Sequence, residues 1–270
     1  MRNKYRILLA VLLVAFFGAL AWLVLIPHEP VYKGRTLASW LDEFGTNYSA
    51  IFQATKEATL QTDCCIAIQR IGTNAVPTLV NMASSHDSNL ESNLVVLARR
   101  LTSVHLHTDQ EYHIRARLGF FALGPLGKDA VPSLIDLLGD KDPEIQITTI
   151  ACLGNIGPAA NAAVPALIPF LSDTNQSVRL GATRTMATRT LGSIHSEPGL
   201  VVPLLIKDLN ASNPQLAITI SALGQFGKDA KPAVPALLQY LSNQNGMIWR
   251  ETINALKAID PEAAAKAGIK

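Results

Sequence analysis

The chain of 270 residues is 49% hydrophobic, 6% aromatic and 16% charged, with a formal charge of +2 at pH 7. That apolar fraction excludes a disordered chain, and the length allows one large domain or two small ones. Alanine and leucine, rather than aromatic and β-branched residues, fill the apolar positions, which suits helix-on-helix packing and speaks against a β-sandwich.

The first segment, "MRNKYRILLAVLLVAFFGALAWLVLI", sets Arg2, Lys4 and Arg6 before the apolar, uncharged residues 7–26. Twenty helical residues measure about 30 Å, the thickness of a bilayer's hydrocarbon core. The pattern predicts a single-pass anchor at residues 1–26 in the cytoplasmic (inner) membrane, with the N-terminus inside and the remaining chain on the extracytoplasmic side. The alternative is a signal peptide cleaved near Ala21, where Ala19-Leu20-Ala21 has the small-x-small form, giving a secreted or periplasmic protein. Without the three leader cations the 23 basic residues fall to 20 against 21 acidic, a net −1. A nucleic-acid-binding groove needs a basic excess, so no nucleic-acid partner is expected.

Residues 27–60 read as a linker and an amphipathic capping helix. In "VYKGRTLASWLDEFG" (31–45) the residues Leu37, Trp40, Leu41 and Phe44 stand at helical spacing, with Thr36 as the expected N-cap. Such a helix covers the open apolar end of a stack of repeats. It is also a candidate docking element, which makes Trp40 a candidate protein contact.

From residue 61 to 270 the chain repeats itself. Aligning similar phrases gives "IQRIGTNA" at 68, "LGPLGKDA" at 123, "LGNIGPAA" at 153, "LGSIHSEP" at 191, "LGQFGKDA" at 223 and "LKAIDPEA" at 256, the last three steps being 38, 32 and 33 residues. Proline-led apolar runs such as "VPTLVNM", "VPSLIDLL", "VPALIPFL", "VPLLIKDL" and "VPALLQYL" follow the first five. Each unit reads as two helices: glycine closes the first, and proline, whose missing N–H is harmless in a first turn, opens the second. Neither helix buries its apolar face alone, and stacking the units does so for both. "DPEAAAKAGIK" suits a C-terminal cap.

The phrase "GKDA" occurs at 127–130 and again at 227–230. It is not a phosphate-binding Walker loop, which needs glycine where Ala122 stands and Ser or Thr where Asp129 stands. It reads instead as one joint used twice, with glycine ending a helix and Asp129 or Asp229 helping to open the next. In the stretch "RLGATRTMATRTLGSIHSEPG" the first helix reads about five residues longer than its counterparts, projecting Arg184 and Arg189 into solvent.

The 55 residues between Ile68 and Leu123 leave room for an insert, spanning 84–113 at its widest, whose polar "HLHTDQEYHIRARLGFFA" reads as a loop. Its His105, His107, Glu111 and His113 are the metal-ligand candidates of the chain, since imidazole and carboxylate at such spacings suit zinc. Cys64, Cys65 and Cys152 form no metal-type C-x-x-C spacing. Side chains of adjacent helical residues point about 100° apart, so one of Cys64 and Cys65 is expected to face the core. All three read as small buried hydrophobes, with a disulfide to Cys152 or an intermolecular bridge as alternatives.

The repeats resemble those of the HEAT family, in particular the short bacterial bilin-lyase-type repeats. "DAVPSLIDLLGDKDPEIQ", "AAVPALIPFLSDTNQSVRLGA" and "KPAVPALLQYL" carry the likeness, and Ser177 to Arg179 match the family's Val-Arg signature. The segment at 31–45 looks like the Tyr-x-Gly-Lys/Arg…Trp-Leu stretch found ahead of HEAT repeats in membrane-anchored bacterial proteins. The resemblance implies an all-α fold, a right-handed α-solenoid of five to six HEAT-like helical hairpins over residues 61–270. It also implies a protein-binding scaffold whose concave face is lined by second helices, with Ser133, Asp136, Gln239 and Tyr240 as candidate contacts. No catalytic residue and no cofactor are expected, because no nucleophile elbow, H-E-x-x-H or dinucleotide fingerprint occurs. The alternatives are a metal- or small-ligand-binding protein centred on His105 to His113, or a bilin-lyase-like enzyme component.

Overall fold

The computed structural model describes residues 29–46, 56–86, 107–171, 178–210 and 213–269. The expected anchor at 1–26 and His105 lie outside them. A two-stranded antiparallel ribbon, β1 (Val31–Tyr32) and β2 (Arg35–Thr36), pairs Val31 with Thr36 and leads into helix α1 (Leu37–Thr46). The remaining helices are α2 (Lys56–Leu60), α3 (Asp63–Ile71), α4 (Val76–Ala83), α5 (Asp109–Leu123), α6 (Val131–Leu137), α7 (Pro143–Ile156), α8 (Val164–Leu167), α9 (Val178–Ile194), α10 (Pro198–Lys207), α11 (Leu216–Gln225), α12 (Val234–Leu238), α13 (Gly246–Ile259) and α14 (Pro261–Lys266).

Six of these are first helices: α3, α5, α7, α9, α11 and α13. From α5 onward each packs along the next, so the units stack as an α-solenoid. Their starts follow ordinary capping chemistry. Thr108 and Glu111 form a reciprocal capping box on α5, and Asp142 accepts the Glu144 N–H ahead of Pro143 on α7. Asn245 accepts from Met247 and Ile248 on α13. Second helices begin at Val-Pro as expected, with Val76, Val131, Val164, Val202 and Val234 buried and the prolines beside them exposed. In repeat 4 the second helix starts a turn earlier, at Pro198, and carries Pro203 inside it.

The register of the second unit differs from its sequence alignment. Helix α5 ends at Leu123 and α7 at Ile156, each followed by a positive-φ glycine, Gly124 at 52° and Gly157 at 72°, and then a seven-residue 3-10 turn. Leu123 therefore corresponds to Ile156 rather than Leu153, and Phe120 occupies the leucine position. The two "GKDA" phrases then fall at different points: Gly227 opens the turn Gly227–Ala233 with φ 54°, whereas Gly127 lies in the middle of the turn Gly124–Ala130. Gly127 is buried, and a Cβ there would stand 3.0 Å from the Phe120 ring. Neither Asp129 nor Asp229 caps a helix, because α6 and α12 continue directly from the turns without a side-chain cap.

The other glycine of the Leu-Gly pair has a separate function. Gly154, Gly192 and Gly224 face the following first helix so closely that a Cβ would stand 2.6 Å from Thr190 Oγ1, 2.9 Å from Ala222 Cα and 3.1 Å from Ala255 Cα. Side chains also reach carbonyls of the preceding first helix: Asn155 of α7 donates to Arg117 O of α5 at 2.9 Å, and Thr190 of α9 to Ile150 O of α7 at 2.9 Å.

Three further expectations are corrected. Residues 109–123 are a first helix rather than an inserted loop. Cys64 and Cys65 are both buried, because α3 is covered by α1 on one side and α5 on another. All three cysteines are free thiols. Arg184 does not project into solvent: it pairs with Asp208, which Asn213 also contacts at 3.1 Å, tying α9 to the end of α10; Arg189 is exposed as expected. Helix α9 has 17 residues against 9, 15, 14, 10 and 14 in the other first helices, longer than each of them as expected.

Candidate interaction surface

The second helices, with the 3-10 turns Ile168–Leu171 and Gln239–Ser242 that extend α8 and α12, hold two charged residues between them, Asp136 and Lys207. Inward positions carry the apolar residues, Leu79, Leu134, Leu167, Leu205 and Leu237 all being at most 1% exposed. Outward positions carry proline and uncharged side chains: Pro77, Pro132, Pro165, Pro203 and Pro235 recur in exposed positions. Ser133 on α6 and Gln239 after α12 belong to this outer set, Asp136 is a charged exception to it on α6, and Leu238 is 37% exposed beside Gln239. Tyr240 is half-buried and packs against the core.

Trp40 is not part of that surface. It is 7% exposed, donates its indole N–H to Tyr32 O at 3.2 Å and is covered by the Arg35 guanidinium at 3.8 Å from its ring. Leu37, Leu41 and Phe44 beside it are wholly buried, so the tryptophan of α1 has no face left for a partner.

Among the described residues the metal-ligand candidates His107, Glu111 and His113 do not converge on one point. His107 Nδ1 stands 3.7 Å from Glu111 Oε2, while its Nε2 accepts from Arg115 at 2.7 Å. His113 is buried on another side of α5 and donates Nε2–H to Ser85 O at 3.1 Å. Among the described residues no group of three or more His, Cys, Asp or Glu side chains is placed to hold a metal ion.

Among the described residues, grooves run between first helices and along their ends, three of them well defined. The largest, about 600 Å³, crosses the C-terminal ends of five of them, touching Gln69, Phe121, Asn155, His195 and Gln225. A second, about 390 Å³, lies between α5 and α7 and is lined by Asp109, His113, Arg117, Asp142 and Glu144. A third, about 360 Å³, lies between α9, α11 and α13 beside the exposed Met247. The charges near these edges are settled by local bonds. The Asp142 backbone N–H holds the Asp140 carboxyl below the usual range, with His86 adding to it. Burial pushes the Cys65 thiol up to about 11 and the Cys152 thiol up further. None of this supplies an activated nucleophile or base.

Comparison with known proteins follows this geometry. No curated protein has a significant match to the chain. Similar solved structures include two engineered proteins, each 20% identical: one with TM-score 0.45, covering 86% of this chain and 98% of its own, the other with TM-score 0.40, covering 79% and 63%. A designed armadillo repeat protein in complex with the peptide (KR)4 is 16% identical with TM-score 0.43, covering 74% of this chain and 96% of that one. The family model for HEAT repeats matches residues 101–187 and 131–203. Over residues 101–203, therefore, the chain is similar to HEAT repeats.

Proposed function

We propose that this protein is a membrane-anchored scaffold that binds another protein through the outer face of its second helices, without catalysis. The observation that carries the reading is the near absence of charge on that face, two charged residues over five helices in a chain that is 16% charged. Depletion of charge marks the core of protein interfaces, whereas an ordinary solvated helix face is rich in Lys, Glu and Asp. HEAT repeats commonly serve as interaction scaffolds, which agrees with a face repeated from unit to unit. Anchoring through residues 7–26 would hold that face near the extracytoplasmic surface of the inner membrane.

Photo-crosslinking residues placed at Ser133 or Gln239 in the native cell are expected to capture one and the same protein. The same probe at Gln110, an exposed first-helix position, should not capture it. Recovery of lipids or copies of this chain alone from all three positions overturns the reading. A reporter active only in the cytoplasm, fused after Lys270, is expected to be silent, and activity there overturns the export.

A further inference from the structure

The joints of the stack are not alike. Between α7 and α9, α9 and α11, and α11 and α13 the close approach at Gly154, Gly192 and Gly224 makes a tight seam, crossed between α7 and α9 by the Thr190 bond to Ile150 O. The positions equivalent to these glycines in the first two repeats hold Gln69 and Phe121. Gln69 spends its amide on Ala122 O at 3.0 Å, and Phe121 turns its ring toward Phe44 of α1, centroids 6.4 Å apart. Other bonds at this first joint are also polar: His113 to Ser85 O, and Ser85 to Asp109, beside one dry contact where α4 places Leu79 against Gly119. Helix α1 packs on both α3 and α5, so residues 29–46 lie across the joint rather than on the end of one repeat.

The bond that fixes this overlap is Asp42 of α1 with Arg115 of α5. Arg115 is 5% exposed, is also contacted by His107, and lies over the Tyr112 ring at 5.8 Å, while the Asp42 side chain is 49% exposed. Burial lowers the Arg115 pKa, with Glu29 acting in the opposite sense. A buried cation stays buried only while an anion covers it, and opening the strap returns it to water, as it does the amide and imidazole bonds alongside. Close packing at the glycine seams exposes no buried ion of this kind when it is broken.

We propose that residues 29–46 are a strap closing the joint between the first two repeats, and that the strap and repeat 1 open as one unit while repeats 3 to 6 stay stacked. The device needs no partner and holds whatever binds the second helices.

Hydrogen exchange on the full chain tests it. In Asp42→Asn, residues 31–46 and 63–83 are expected to exchange about tenfold faster and in step, with 143–167 and 216–259 within about twofold of the parent. Gly192→Ala should instead accelerate 183–194 and 216–225 and leave 31–46 unmoved. Acceleration of 31–46 alone makes the segment a simple end cap and overturns the proposal, as do uniform acceleration of every helix and no change at all.

Discussion

Gly192 of α9 lies against Ala222 of α11 so closely that a single added carbon would come within 2.9 Å of the Ala222 Cα. The contact is backbone against backbone, so it cannot be relieved by rotating a side chain. Gly192→Ala is expected to destabilise the protein by about 1–3 kcal/mol through overpacking, despite alanine's better helix propensity. Gly246→Ala, in open space at the start of α13, should be neutral or stabilising by up to about 1 kcal/mol. Urea unfolding of the two variants separates packing from propensity.

The two "GKDA" phrases give a second test. Asp129 and Asp229 are exposed and cap nothing, so Asp129→Ala and Asp229→Ala should each stay within about 0.5 kcal/mol of the parent. Asp142→Ala removes a real N-cap bond of 2.9 Å to the Glu144 N–H and should cost about 1 kcal/mol. Equal losses at all three positions would restore the reading of one joint used twice.

Acid should loosen the C-terminal end early. The Ala263 backbone N–H, aided by Lys231 at 3.3 Å, holds the Asp260 carboxyl below the usual range. A carboxylate depressed in the folded state stabilises it fully above the ordinary pKa of about 3.9 and loses that contribution as pH falls through the folded value. Thermal unfolding followed from pH 5 to 2 should therefore show a fall in Tm whose size is reduced in Asp260→Asn.

Thiol chemistry should be silent in the native state. With Cys65 raised to about 11 and Cys152 higher, both buried, neither forms thiolate at pH 8. Ellman's reagent is expected to label Cys65 and Cys152 only after denaturant is added. Rapid labelling of the native protein at either residue would contradict their burial.

The paired-helix plan was legible because proline at the start of a second helix and an apolar face after it leave a plain mark, as at Val131, Val164 and Val234. The register of the second repeat was not, since Leu123-Gly124 imitates the Leu-Gly pair of other units while standing three residues later. The Val-Pro pairs at 131 and 164 held the signal, because counting back from each valine by the same interval reaches Leu123 and Ile156. Cys64 and Cys65 were misjudged by treating α3 as having one buried side, although α1 covers a second. Arg184 was misjudged because its partner, Asp208, lies across a loop and another helix, where periodicity carries no information. The uncharged outer face of the second helices was visible in the letters, but which side of each helix faced outward needed coordinates.

The glycine seam also makes the length of the stack a free variable. Excising residues 155–192 would join Gly154 to Ser193, regenerate a Leu-Gly-Ser-Ile helix end and deliver Gly154 to Ala222 in place of Gly192. A shorter stack with one unit fewer would inherit a ready-made fit at the splice. No such interchange is open at the first joint, where Gln69, Phe121 and Arg115 answer to side chains and carbonyls particular to it, so the chain is modular toward its C-terminus and bespoke at that joint.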